Sequence, residues 1–251
     1  PNSFSDDGTV ALRGISFSKD GSLAAYMITE GGSDWRKIIV IDSEKKSIIE
    51  DTLIDVKFSS VSWRGNEGFY YSSYPNPKNT SELSAKTQLH KLYYHKLGTP
   101  QTSDKLIYGG EKQPNRYISG YVTEDQNFLV ISASKTTSGN QLHILDLKKQ
   151  RLVTIHKEYM NRLSVVHNEG NQFFIYSNIE SPNGRVFSVN LNSPKKWNDI
   201  IPEKENVLSA SFGGGYLFAS YLVDAKTEVE QLDLNGKLIR KIELPGIGTA
   251  W

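Results

Sequence analysis

The 251-residue sequence contains no cysteine. This absence excludes disulfide bonds, thiol catalysis and cysteine-based zinc sites. It leaves the compartment open, because proteins of the bacterial periplasm and of the cytoplasm can both lack cysteine. Long apolar runs are missing too: none approaches the roughly 20 residues that a membrane-spanning helix needs. We therefore expect no membrane partner.

An excess of charge of one sign is also missing. Lys and Arg together number 29, Asp and Glu together number 28, and the formal net charge is +1. Such a balance gives no electrostatic reason for binding to a polyanion. The sequence therefore predicts no nucleic-acid partner.

Motifs for catalysis and cofactor binding are absent as well. The chain has no Walker loop, no dinucleotide fingerprint and no paired histidines with the spacing of a zinc site. The nearest approach to the Gly-x-Ser-x-Gly nucleophile elbow is residues 31–35, where Trp35 replaces the last glycine. We interpret that stretch as a hairpin loop and the five histidines as partly exposed strand or turn residues, with no general-base candidate that has an orienting partner. The prediction is no catalytic residue, no metal and no cofactor.

What the sequence does have is aromatic residues and a repeat. Tyr, Phe and Trp number 13, 10 and 4, which favours strands with aromatic rings between sheets. Five segments share a strand end, a polar or glycine turn and an apolar strand. The first large apolar residue after each turn is Leu23, Phe69, Phe128, Phe173 and Leu217.

The spacing of these segments indicates the fold. The intervals are 46, 59, 45 and 44 residues, and the long one contains the 14-residue polar stretch Pro75 to Gln88. A third and a short fourth strand follow in each period, so four strands recur about every 45 residues, the period of a propeller blade. A single meander cannot bury both of its faces, so blades must stack.

We therefore predict an all-β fold, a β-propeller with about five four-stranded blades in a single domain over residues 1–251. The blades fall roughly at residues 8–54, 55–110, 115–158, 160–202 and 205–246. The residues alone indicate a non-catalytic propeller used for recognition or gating. A glycosidase propeller, the other enzymatic possibility, would need two converging carboxylates.

Three stretches resemble one known family. They are DDGTVALRGISFSKDGSLAAYMITEGGSDWRKI, DVKFSSVSWRGNEGFYYSSYPNP and QLHKLYYHKLGT. Each is similar to the propeller domain of prolyl oligopeptidase (prolyl endopeptidase). The match is collinear through Asp125 and continues more weakly from there to the LPGIG segment near the end of the sequence. The resemblance implies a seven-bladed propeller, of which this chain holds about five blades.

The resemblance also implies partners. In that family the propeller covers an α/β-hydrolase domain, which cleaves short peptides after proline with a Ser-Asp-His triad. The expected partners are that catalytic domain of the same protein, absent from this sequence, and a proline-containing peptide. The chain by itself is expected to have no peptidase activity.

Four residues receive roles from the resemblance. Asp34 is expected at the domain interface, where it affects the electrostatics of the active-site mouth, and Phe58 is expected to line the substrate cavity. From the residues alone, Phe58 reads instead as a core aromatic between blades. Tyr117 and Thr137 align with two further cavity positions of the family, where the family has other residue types. Ser134 aligns with a position at which several relatives carry an arginine.

Two expectations remain beside these. The stretch Pro75 to Gln88 resembles a mobile loop near the domain cleft. The alternative function is a stand-alone binding scaffold of the TolB or tricorn type, whose turns resemble Phe17 to Gly21. A downstream hydrolase domain with Gly-x-Ser-x-Gly in the natural reading frame would discriminate between the two functions.

We predict that the chain on its own self-associates, exchanges blades or forms a distorted ring. The reason is that the outer repeats expose sheet faces and strand edges that a complete ring covers. Small-angle scattering measures this directly. A monomer with the radius of a closed disc would contradict the prediction.

Overall fold

Strands make up almost all of the regular structure in the described part of the chain. The structure is a computed structural model that describes residues 5, 7–49, 52–75 and 88–250. The interior of the polar stretch between Pro75 and Gln88, expected to be a mobile loop, lies outside the described residues. The described residues form 21 strands and one short 3-10 helix, Gln101–Ser103. The all-β prediction is confirmed.

The first sheet has nine strands. Its path is β1-β2-β3-β5-β7-β8-β9, with β4 paired to β3 and β6 paired to β7. Where partners are described, neighbouring strands run antiparallel. The strands are β1 (Val10–Phe17), β2 (Leu23–Glu30), β3 (Arg36–Asp42), β4 (Ser47–Ile48), β5 (Leu53–Val56), β6 (Ser62–Arg64), β7 (Gly68–Ser73), β8 (Lys91–Lys96) and β9 (Lys105–Gly109).

Three four-stranded sheets follow, each in sequential strand order. The strands of the first are β10 (Tyr117–Val122), β11 (Phe128–Ser134), β12 (Asn140–Asp146) and β13 (Arg151–His156). Those of the second are β14 (Leu163–Glu169), β15 (Gln172–Ser177), β16 (Arg185–Asn190) and β17 (Trp197–Ile201). Those of the third are β18 (Leu208–Gly213), β19 (Tyr216–Val223), β20 (Lys226–Leu232) and β21 (Leu238–Ile242).

The junction between the first and second repeats differs from the prediction. Where a short fourth strand is expected to end the first period, the described residues form the two-residue β4, and β5 follows it. β5 pairs with β3 on one side and, through Val56 and Ser73, with β7 on the other. Leu53 and Val56 are fully buried, and burial of these apolar side chains favours placing the segment within the sheet. The first two repeats therefore share one continuous sheet.

The chain divides into two compact units, each with an apolar core of its own. The first unit comprises residues 1–135 and 145–149, and the second comprises residues 136–144 and 150–251. One core of the first unit is built around Ile38, Trp63 and Phe69. The core of the second unit includes Leu217 and Tyr221.

We predict that Phe69→Ala lowers the free energy of unfolding by about 3 to 5 kcal/mol, the usual cost of truncating a buried phenylalanine. Phe69 is 0% exposed, and its ring lies 5.2 Å from that of Trp63 and 5.3 Å from that of His95. The matched control is Phe17→Ala, which truncates a side chain that is 58% exposed, with an expected change within about 0.5 kcal/mol. Urea denaturation measures both, and equal losses would contradict the assignment of Phe69 to the core.

Candidate functional site

Phe58 lies in a break in the first strand of the second repeat. Residues 57–61 join β5 to β6 without being part of either strand. The backbone of Phe58 has a φ of 50°, in the left-handed region that costs an L-residue about 1 to 2 kcal/mol. Its side chain is 46% exposed, which excludes the reading of Phe58 as a core aromatic.

Hydrogen bonds to Ser59 stabilise the strained segment at residues 57–61. The Ser59 hydroxyl oxygen accepts a hydrogen bond from the Ser72 N–H at 2.7 Å. The Ser59 carbonyl accepts another from the Arg36 guanidinium at 3.2 Å. Strained backbone persists where surrounding contacts over-determine it, and such positions cluster at functional sites.

Phe58, Tyr74 and Tyr117 form a group that we call the aromatic cluster. The Phe58 ring meets Tyr74 edge-on, with centroids 6.2 Å apart, and meets Tyr117 edge-on at 6.0 Å. Both distances lie in the favourable range for T-shaped pairs. Tyr74 is buried, whereas Tyr117, the first residue of β10, is 45% exposed. The cluster therefore presents two rings to solvent above a buried third.

His90 fixes the backbone beside each of the two exposed rings. The Ile118 N–H donates to His90 Nδ1 at 2.8 Å, so Nε2 carries the proton and donates to the Lys57 carbonyl at 3.0 Å. These partners are the neighbours in sequence of Tyr117 and Phe58. The imidazole is 1% exposed and stacks on Tyr74, with centroids 4.2 Å apart. Burial lowers the pKa of His90 to about 4, which keeps the ring neutral near pH 7.

Lys57 adds a positive charge beside the cluster. Its ammonium nitrogen lies 5.1 Å from the ring centroid of Trp35 and 5.4 Å from that of Phe58. Both distances allow a cation–π interaction. Trp35 follows Asp34 in the loop between β2 and β3, so Lys57 connects that loop to the aromatic cluster.

The predicted site residues lie in different surroundings. Asp34 is exposed in the loop between β2 and β3, which is the hairpin loop expected there. Phe58 and Tyr117 are in contact. Ser134 ends β11 and is half-buried, and Thr137 is exposed in the turn that precedes β12, within the second unit.

Sequence reasoning missed Tyr74, His90 and Lys57. Tyr74 and His90 flank the long polar insertion, so no strand periodicity relates them. The expectation of partly exposed histidines was wrong for His90, His95 and His143, all of which are buried. The only available signal was that Lys57 is adjacent to Phe58.

One histidine, His95, belongs to a buried hydrogen-bond network. The His95 Nδ1–H donates to Asp104 Oδ1 at 2.7 Å, and the Tyr71 hydroxyl donates to Asp104 Oδ2 at 2.7 Å. Burial, followed by the adjacent Asp104, raises the pKa of Tyr71 above its ordinary value. The side chains of His95 and Asp104 are buried, and these bonds tie β7 and β8 to the segment after the 3-10 helix. We interpret the network as structural.

The described residues offer neither a metal site nor a membrane-spanning helix. Among those the structure describes, no group of three or more His, Cys, Asp or Glu side chains could hold a metal ion. No helix in the described ranges is long and apolar enough to cross a bilayer. The aromatic cluster with Lys57 is the candidate site.

The repeated antiparallel sheets are those of a β-propeller domain. The family profile described as "Prolyl oligopeptidase, N-terminal beta-propeller domain" matches residues 1–251. The chain therefore belongs to the prolyl oligopeptidase family, as its N-terminal propeller domain.

Relatives of known name agree with this assignment. The chain is 50% identical to a prolyl endopeptidase of Elizabethkingia miricola and 49% identical to one of Elizabethkingia meningoseptica, each over 253 residues. Each match covers 100% of this chain and 36% of the relative, so the chain spans about a third of the length of these relatives.

A solved structure is also similar. It comes from a structural and mechanistic analysis of two prolyl endopeptidases that concerns inter-domain dynamics in catalysis and specificity. It matches with a TM-score of 0.88 and 29% identity, over 98% of this chain and 36% of that one. Prolyl oligopeptidase B from Galerina marginata, bound to a 35mer substrate, matches with a TM-score of 0.88 at 24% identity, which supports the fold alone.

We predict that His90→Gln removes part of the acid-induced loss of stability. The pKa of His90 is depressed to about 4 in the folded chain, whereas an unfolded histidine titrates near about 6.5. The unfolded state thus binds more protons between these values, and stability falls as pH drops from about 6.5 to about 4. Gln preserves one donor and one acceptor but does not titrate.

Urea midpoints at pH 7, 5 and 4 measure this effect in the wild type and the variant. His143, whose pKa burial also lowers to about 4, is present in both proteins and serves as a constant background. A pH dependence that is identical in the two proteins would contradict the neutral, buried state of His90.

Proposed function

We propose that this chain is the substrate-gating propeller of a serine endopeptidase that cleaves short peptides after proline. The catalytic residues belong to an α/β-hydrolase domain outside this chain, so the chain alone has no peptidase activity. The domain binds no cofactor. Its partners are that hydrolase domain and the proline-containing peptide.

The observation that carries the proposal is the exposed aromatic cluster in a chain of this family. Phe58 and Tyr117 are almost half exposed, although aromatic side chains are usually packed in the core. Exposed aromatic surface held by buried polar bonds is typical of binding sites. A flat ring and a phenol suit proline and its apolar neighbours in a peptide.

Gating follows from the physics of a narrow entrance. A propeller that covers an active site admits an extended peptide and excludes a folded protein, and it keeps bulk water and bulky competitors from the reacting groups. In this proposal the aromatic cluster contacts the substrate on the amino-terminal side of the proline. Asp34, exposed beside Trp35, contributes charge at the interface with the hydrolase domain.

The natural full-length protein tests the proposal. We expect it to cleave a short reporter peptide after proline, and to leave intact the same peptide with alanine in place of proline. The same proline sequence inside a folded protein should be cleaved far more slowly. Failure to cleave the short peptide, or equal cleavage of the folded protein, would contradict the proposed function, and a binding scaffold would then be the better explanation.

We predict that Phe58→Ala in the full-length protein lowers kcat/KM by about tenfold, mainly through KM. The removed ring loses contact with substrate that is worth about 1 to 3 kcal/mol. Phe17→Ala is the matched control, because it truncates another exposed phenylalanine outside the cluster, and its kinetics should be those of the wild type. Equal kinetics for both variants would exclude Phe58 from the substrate site.

A further inference from the structure

The ammonium group of Lys57 has an unusual environment. The residue as a whole is 9% exposed, because its aliphatic stem is covered. Among the residues that the structure describes, the ammonium makes no hydrogen bond and no ion pair. Lys57 Nζ lies 5.1 Å from the ring centroid of Trp35 and 5.4 Å from that of Phe58.

This environment leaves a charge only partly compensated. An ammonium that packs against aromatic rings loses part of its hydration, and a carboxylate partner is the usual compensation. The two rings attract the charge but accept none of the three N–H donors as a carboxylate oxygen does. Asp34, one residue from Trp35, makes no ion pair with Lys57. The donors of Lys57 are thus available to an external anion.

The direction from which an anion would approach is set by Phe58. One of the two rings that contact the ammonium is Phe58, whose side chain is 46% exposed. A ligand that lies against Phe58 and Tyr117 therefore comes within reach of Nζ. The edges of the aromatic rings carry partial positive charge and also favour a carboxylate there.

We infer that Lys57 is a specificity-determining residue that binds a carboxylate of the peptide substrate beside the aromatic cluster. The inference rests on the proposed function and adds to it a charge preference. The ligand chemistry is a carboxylate, supplied by an acidic side chain near the proline or by the carboxyl terminus of the peptide. Peptides with such a carboxylate are preferred over their neutral isosteres.

Paired peptides in competition test this in the full-length protein. One set carries Glu or Gln at one of three positions before the proline, and the other has a free or an amidated carboxyl terminus. The two sets separate the two sources of carboxylate. Because both members of a pair react in one tube, their ratio of kcat/KM does not depend on how much of the enzyme is folded.

The wild type should prefer one acidic peptide over its neutral partner by about tenfold, the size expected for a hydrogen bond to a charged group. Lys57→Met, which keeps an unbranched apolar stem, should bring the ratio close to one, and Lys57→Arg should restore most of the preference. Lys96→Met is the matched control, since it removes the same charge from an exposed site at the end of β8 and should retain the wild-type ratio.

Three results would overturn the inference: no acidic preference in the wild type, an unchanged ratio in Lys57→Met, or an equal loss in Lys96→Met. If the protein cleaves neither peptide, the proposed function fails. Equilibrium binding of the same pairs then tests whether Lys57 binds a carboxylate. Tighter binding of the acidic peptide that is lost in Lys57→Met supports the carboxylate site, and equal binding excludes it.

Discussion

The two hydrogen bonds of the His90 imidazole are the interaction on which the candidate site depends. A neutral imidazole has one N–H and one lone pair, and here they meet one carbonyl and one amide from segments 33 and 28 residues away. Leaving either backbone group buried and unpaired would cost about 1 to 3 kcal/mol. The ring therefore fixes Lys57 relative to Ile118, and with them the exposed rings of Phe58 and Tyr117.

The site exists where the repeat is broken. In the third, fourth and fifth periods the first strand is continuous, as in β10, β14 and β18. In the second period the chain leaves the sheet after β5 and re-enters it at β6, with left-handed backbone at Asp55 and Phe58. A regular strand would alternate these side chains between two packed faces. The break instead turns Phe58 outward and leaves its flanking polar groups to be satisfied by Ser72, Arg36 and His90.

This contrast explains which features the sequence could predict. Strands β2 and β11 were predictable because an apolar run follows a polar turn in each, a pattern that depends only on nearby residues. The joining of the first two repeats into one sheet depends on the pairing of β5 with β7, which lies across a break and an extra strand. Tyr74 and His90 stack across the long insertion, and their contact has no signature in spacing. The resemblance to a family supplied Phe58 and Asp34, but not the residues that hold Phe58 in place.

Lys57 connects the hydrogen bonds of His90 to the positive charge of the site. Its carbonyl is held by His90, and its ammonium lies between Trp35 and the ring of the next residue, Phe58. The charge and the exposed ring are thus carried by adjacent residues of one hydrogen-bonded stretch of backbone. Under the proposed function, a peptide that contacts Phe58 also lies near the positive charge of Lys57, so selection by shape and selection by charge act together. The proposal thus accounts for discrimination among peptides that are all small enough to enter, which a purely steric gate cannot provide.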